Sequence, residues 1–139
     1  MPAGNLRARH LVPTTLLTGA GAAPLQTLTC LFIALANNAA AVAVDLTVDK
    51  KFTVLDATAI KGLIAGAAGD EVQLQTAAGA ANITDSMDIG TPAAANVVLR
   101  AASIFTANAT IAAGGTLRIK RLFNTNNGVS VLVTGIYTA

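Results

Sequence analysis

Few side chains in this sequence could carry chemistry: one histidine, one cysteine, seven carboxylates, and the serines Ser86, Ser103 and Ser130. None of the serines sits in the G-x-S-x-G turn that lifts a nucleophile out of a sheet. A Ser-His-Asp relay would have to use His10, which lies in a polar N-terminal stretch and reads as a strand-edge or interface residue. A single histidine also excludes a histidine-rich metal site within one chain. Gly62 to Gly69 is followed by Asp70, where a phosphate-binding loop needs lysine. The carboxylates remain. Asp70, Glu71, Asp85 and Asp88 could surround a hard cation if the fold gathered them. Their placement in Ser- and Gly-bearing segments reads first as turn chemistry, in which the side chain bonds to its own backbone. Asn82-Ile83-Thr84 and Asn108-Ala109-Thr110 match the glycosylation acceptor pattern, but the chain start lacks the basic-then-apolar layout of a secretory signal, so both read as turn and strand-edge segments. No cofactor and no catalysis are expected.

The composition turns attention from sites to surfaces. Hydrophobic residues make up 53% of the 139 residues, yet alanine supplies much of that, and charged residues make up only 12%. Soluble proteins normally carry about a quarter charged residues, so much of this surface is expected to be covered in an assembly. The net charge of +2 is too small to indicate a nucleic-acid partner, and direct nucleic-acid contact is not expected. Arg7, Arg9 and His10 form a short basic arm. Arg118, Lys120 and Arg121 form a second cluster, in which Arg118 and Lys120 should alternate on the wet face of a strand whose other face carries Leu117 and Ile119. Cys30 lies in the apolar run Leu28 to Leu35, reads as a small core residue, and has no second cysteine to pair with. Asn37 and Asn38 divide the longest apolar stretch and Asp45 ends it, so no membrane span is expected.

The elements that must hold these residues are short strands. His10 to Leu17 reads as an edge strand, with Pro13 keeping it there, and Gly19 to Pro24 as a loop. Thr27 to Ala36 is apolar at nearly every position, the pattern of a strand buried on both faces, within a sandwich or under a neighbouring subunit. An asparagine turn should join it to Ala41–Val48, where Val42, Val44, Leu46 and Val48 alternate with smaller or polar residues. Phe52 to Leu55 and Glu71 to Thr76 are again extended. Between them, from Asp56 to Leu63, the period changes, and a short helix capped by Asp56 and stopped at Gly66 is expected. Asn82 to Asp85 and Asn96 to Arg100 read as short strands, Met87 to Ala95 as loop, and Ala101 to Thr110 fits either helix or extended chain. Gly114 and Gly115 mark a tight turn. Thr116–Phe123 and Val129–Thr138 close the chain as two long strands, with Asn124 to Gly128 having the composition of a hairpin loop. The expected fold is all-β: an antiparallel jelly-roll or β-sandwich-like domain with one short helix. Residues 1–10 would be a flexible arm and residues 11–139 a single β-domain.

Several segments together carry a resemblance. They are Met1-Pro2-Ala3-Gly4-Asn5, Lys51-Phe52-Thr53-Val54-Leu55-Asp56, Ala67-Ala68-Gly69-Asp70-Glu71-Val72-Gln73-Leu74, Asn82-Ile83-Thr84-Asp85 and Ala113-Gly114-Gly115-Thr116-Leu117-Arg118-Ile119. In these the chain resembles small tailed-bacteriophage head proteins of the decoration or cement type. That resemblance covers most of the sequence beyond residue 40 and rests on composition more than on a fixed motif. It implies a jelly-roll or similar β-domain on the outer surface of a phage capsid, a virion location reached from the host cytoplasm, and the major capsid protein as partner. It carries over no catalytic residues.

A role in stabilising contacts between major capsid subunits follows from that implication, with self-association as a dimer or trimer. The expected partner contacts are Arg7, Arg9 and His10 in the arm and the loops around Ala67, Ala94 and Asn126. A head-completion or tail-associated structural protein is the competing structural reading. A β-type carbohydrate- or receptor-binding module is another, and it would have to work with only Phe105, Phe123 and Tyr137 as exposed aromatics.

Overall fold

In a computed structural model of the chain, the described residues are 26–35, 43–62, 69–77, 81–90, 96–122 and 128–138. They contain ten strands: β1 (Gln26–Leu35), β2 (Ala43–Thr47), β3 (Lys51–Lys61), β4 (Glu71–Thr76), β5 (Ala81–Asn82), β6 (Met87–Asp88), β7 (Val98–Arg100), β8 (Thr110–Ile111), β9 (Thr116–Leu122) and β10 (Val129–Thr138). Among the described residues there is no helix, and so none long and apolar enough to cross a membrane.

The strands form two antiparallel sheets. One runs β1-β10-β3-β7, with β8 also on β3; the other runs β2-β9-β4-β5, with β6 also on β4. The inward residues of both sheets form one apolar cluster, with Val54, Ala57, Ala59, Val131 and Val133 from the first and Val72, Leu74, Leu117 and Ile119 from the second. The fold is thus a β-sandwich, and the period-two alternation is what builds it: each strand sends every second side chain to the shared core. The pattern is plainest in β9, where Leu117, Ile119 and Arg121 are buried and the residues between them are half-exposed.

The helix expected from Asp56 is absent. Asp56 to Lys61 continue β3, and residues 63 and 64 lie outside the described ones. What changes there is the phase of a strand. Thr134 pairs with Asp56 and Gly135 with Val54, so Leu55 is an extra residue in β3 without an opposite number. Before this β-bulge the even residues Phe52 and Val54 face the core; after it the odd residues Ala57, Ala59 and Lys61 do. One inserted residue flips the inward set, and over a short window that flip imitates a helical period.

One expected pairing is also corrected. Val129–Thr138 is a strand as read, but β9 and β10 belong to opposite sheets, so residues 123–127 connect two sheets and not a hairpin. The asparagine-bearing link after β1 does the same, since β1 pairs β10 while β2 pairs β9. Among the described strands only β4 and β5 pair with their sequence neighbour, Thr76 lying opposite Ala81. Met87–Asp88, read as loop, forms a two-residue strand on the start of β4. The Gly114–Gly115 turn is as read: Gly114 has φ of 77°, and its amide donates to the Val48 carbonyl at 2.7 Å, which extends the β2 and β9 pairing by a step.

Candidate interaction face

The two outer faces of the sandwich differ sharply. Outside the β2-β9-β4-β5 sheet, the register aligns Asp45 with Arg118 and Gln75, and Ala43 with Lys120 and Gln73. Arg118 grips Asp45 with two hydrogen bonds, Nε to Oδ1 at 2.6 Å and Nη2 to Oδ2 at 2.7 Å. The Gln75 amide donates to Asn82 Oδ1 at 2.9 Å and to Gln73 Oε1 at 3.2 Å, and the Gln73 amide donates to the Thr84 carbonyl. This face is polar, as the alternation of Arg118 and Lys120 against Leu117 and Ile119 leads one to expect; it is open to water along β2 and β9, while on β4 Gln73 and Gln75 are buried where they bond to the Asn82–Thr84 segment.

The hydrogen bond from Arg118 holds the Asp45 carboxyl below its ordinary value, against the opposing effect of burial and with some help from the attraction of the guanidinium charge; the same bond holds Arg118 up. A carboxylate so held stabilises the fold above its unfolded-state pKa and loses that contribution as the pH falls through the lowered value. The pair is exposed, so the effect on global stability should be small. Titrating Asp45 by carboxyl NMR should show the lowered midpoint, and Arg118→Ala should return it toward 3.8. A midpoint indifferent to Arg118→Ala would mean that the pair does not persist in water.

The outer face of the other sheet is built differently. Its rows, read across β1, β10, β3 and β7, are Phe32, Leu132, Thr58 and Arg100, then Ala34, Ser130, Ile60 and Val98. Further along lie Leu28, Ile136 and Thr53, with Cys30, Thr134 and Asp56 between. Leu28 is 67% exposed, Phe32 64% and Val98 63%. Polar residues are interspersed among them, and several bond to one another: Arg100 Nε meets Asp56 Oδ1 at 2.8 Å, and the Thr53 and Thr110 hydroxyls lie 3.0 Å apart. Large apolar side chains thus run across four strands of a surface open to water, the arrangement that marks an interaction surface.

Cys30 sits on this face, exposed and free, and not in the core as its apolar surroundings suggested. The run Leu28 to Leu35 is correspondingly buried on one face only: Ile33 and Leu31 pack inward, while Leu28 and Phe32 point out. The sequence carried the signal for this face in the apolar residues at both parities of β1. It did not say which parity a neighbour would have to cover.

The contact residues expected from the sequence, Arg7, Arg9, His10, Ala67, Ala94 and Asn126, all lie outside the described residues. Of the carboxylates considered for a cation, Glu71 and Asp88 lie opposite each other across β4 and β6, but the four do not converge. Asp85 accepts from the amides of Ser103 at 3.1 Å and Ala102 at 3.3 Å, Asp88 from the amide of Gly90 at 2.8 Å, and Asp70 from Arg121. Among the described residues no group of three or more metal-ligating side chains converges. The turn reading fits Asp88, which bonds the amide two residues on; Asp85 instead ties its segment to the amides of residues 102 and 103, far along the chain.

The third member of the second basic cluster departs from its neighbours. Arg121 is fully buried on the core face of β9, where its Nε and Nη2 reach the two carboxylate oxygens of the equally buried Asp70 at 3.3 and 3.2 Å. It belongs to the core at one end of the sandwich and not to a basic surface patch.

No family model matches the chain, and no curated protein matches it. Among solved structures it is similar to a chain titled as the cyanophage Pam1 capsid asymmetric unit, at 15% identity and a TM-score of 0.47, with 87% of this chain and 90% of that chain covered. It is also similar to a chain of Desmodium yellow mottle tymovirus, at 10% identity and a TM-score of 0.41, with 87% and 91% covered. At these values neither likeness carries an argument about what this chain does.

Proposed function

We propose that this protein is a non-enzymatic structural component of a virion, one that binds the outer surface of a phage capsid and stabilises the contacts between major capsid subunits. The observation that carries the reading is the apolar outer face of the β1-β10-β3-β7 sheet on a chain with only 12% charged residues. Left in water, that face costs hydration free energy and invites aggregation; against other subunits it contributes roughly 25 cal/mol for each Å² covered. The opposite, ion-paired face would stay toward solvent. The resemblance of the Lys51–Asp56 and Ala113–Ile119 segments to decoration proteins supports the same role. The order of the strands, with β1, β10, β3 and β7 on one side and β2, β9, β4 and β5 on the other, supports a jelly-roll reading of the sandwich. Many identical weak contacts on one lattice add through high effective concentration, so a modest affinity per copy suffices. Self-association as a dimer or trimer would supply the repeating unit.

The test uses β10, the strand inside the face. Leu132→Glu and Ile136→Glu place a carboxylate among the apolar side chains without touching a sheet edge. Each should lower occupancy on purified phage shells at least about tenfold, because burying an unpaired charge at a contact is costly. Electron microscopy of the loaded particle reads occupancy and copy number together. Full loading by both variants would show that this face is not the one that meets the shell.

A further inference from the structure

We infer that β1 pairs antiparallel with β1 of a second copy across a two-fold axis, with Cys30 opposite Cys30 and Phe32 opposite Leu28, which joins two apolar sheet faces into one. The inference deepens the self-association put forward above, on which it rests, by fixing the edge, the register and the axis.

The case begins with the sheet edges. Proteins blunt exposed strand edges with charge, proline, bulges or shortness, because unpaired amides and carbonyls recruit other strands. Three of the four edges among the described strands follow this rule. The β7 and β8 edge consists of strands of three and two residues and carries Arg100; the β5 and β6 edge consists of two strands of two residues each. The β2 edge is five residues long and carries Asp45. The β1 edge does not follow it. Its ten residues, Gln26 to Leu35, include no charge and no proline, and they pair with β10 in unbroken register.

The sequence of β1 also favours its own copy as the occupant. Directly opposed residues in an antiparallel pair share a face. A two-fold axis at an even residue therefore sets outer residue against outer residue, and so keeps both sandwich cores on one side. With the axis at Cys30, Phe32 of each copy meets Leu28 of the other, an aromatic–aliphatic pair formed twice, while Gln26 meets Ala34. Cross-strand pairs of this kind stabilise a sheet, and no like charges meet anywhere along the strand. A three-fold arrangement would require β1 to meet some other, non-identical surface; self-pairing of one edge closes as a dimer.

The register is tested by charge exchange in the full-length protein under reducing conditions. Residues 28 and 32 are exposed in the single copy, so charge there should leave the fold intact, as far-UV circular dichroism and the melting temperature will show. Analytical ultracentrifugation should find the unmodified protein dimeric. Leu28→Lys alone and Phe32→Glu alone should each weaken the dimer about tenfold or more, and the double variant, which places Lys opposite Glu across the axis twice, should recover most of that loss. A monomeric unmodified protein overturns the inference, including the case in which residues before Gln26 cover β1 within one chain. Single variants without effect, or a double variant no better than its parents, overturn it as well.

A second measurement needs no substitution. Opposed residues lie about 4.5–5.5 Å apart at Cα, within the disulfide range of about 4.4–6.8 Å. Mild oxidation should therefore link Cys30 to Cys30 at a rate independent of protein concentration, whereas a rate that rises with concentration would mean chance collisions and no pairing. Shell occupancy is a separate readout. A Leu132→Glu chain, altered away from the β1 edge, that stays dimeric yet loses shell binding would leave the pairing standing, and an unmodified chain that is monomeric yet loads shells would leave the shell-binding role standing.

Discussion

Asp70→Ala should lower the free energy of unfolding by about 3–5 kcal/mol, a large part of the 5–15 kcal/mol that holds a typical domain together. The reason is the position of Arg121. Strict alternation along β9 carries it to the core face behind Leu117 and Ile119, where it is fully buried and lies opposite Val72 of β4. Asp70 immediately precedes β4, is itself fully buried, and presents both carboxylate oxygens to the guanidinium. The Asp70 carbonyl also accepts the Ile89 amide at 2.8 Å, which ties the start of β4 to the segment after β6. Removing the carboxylate leaves a desolvated cation without its bidentate counter-charge, and that imbalance costs more than the pair contributes when intact. Urea unfolding followed by circular dichroism checks the magnitude. Replacing both partners by apolar residues, Asp70→Leu with Arg121→Met, should recover much of the stability, since neither member of the pair then remains as a buried charge. A loss below about 1 kcal/mol in Asp70→Ala would show that the core relaxes enough to admit water to Arg121.

Gly135→Val should destabilise the sandwich by at least about 1–3 kcal/mol through overpacking, although Gly135 makes no tight turn and its backbone is ordinary extended chain. The constraint comes from Phe52, fully buried on β3 with its ring 4.8 Å from that of Tyr137. A Cβ on Gly135 would fall against the Phe52 ring and 2.5 Å from the Thr53 carbonyl oxygen, closer than such atoms approach. Gly135 faces Val54 at the step where the β3 bulge shifts the register, so the missing side chain lets the aromatic ring lie across β10 beside the irregularity. Phe52→Ala should cost about 3–5 kcal/mol by itself, from lost burial and the cavity left behind. Because the ring supplies part of the clash, the Thr53 carbonyl supplying the rest, adding Gly135→Ala to Phe52→Ala should cost less than Gly135→Ala costs alone, and a double-mutant cycle on unfolding free energies measures the difference. Strict additivity would mean that the ring is not what requires glycine there.

The strands themselves were legible from one dimension. Val44, Leu46 and Val48, the Val72 and Leu74 pair, and Leu117 and Ile119 all lie inward as their spacing indicates, and β10 begins and ends at the residues read for it. The partners were not legible. Composition marked residues 123–127 and the link after β1 as turns, but a turn-rich link serves a hairpin and a crossing between sheets equally well. The phase change after Leu55 is visible in the sequence too, but six or seven residues are too few to separate a bulge from a helical period.

Sequence alone therefore determined that this is an all-β chain poor in charge, since the pleat writes its period of two directly into local spacing. Tertiary structure alone decided three further things: that Arg121 is a core residue, that Cys30 and Phe32 face water, and that one long edge has no partner among the described strands. Each depends on a contact between residues far apart in the chain, as with Asp70 and Arg121 at a separation of 51, and local spacing holds no record of such a partner.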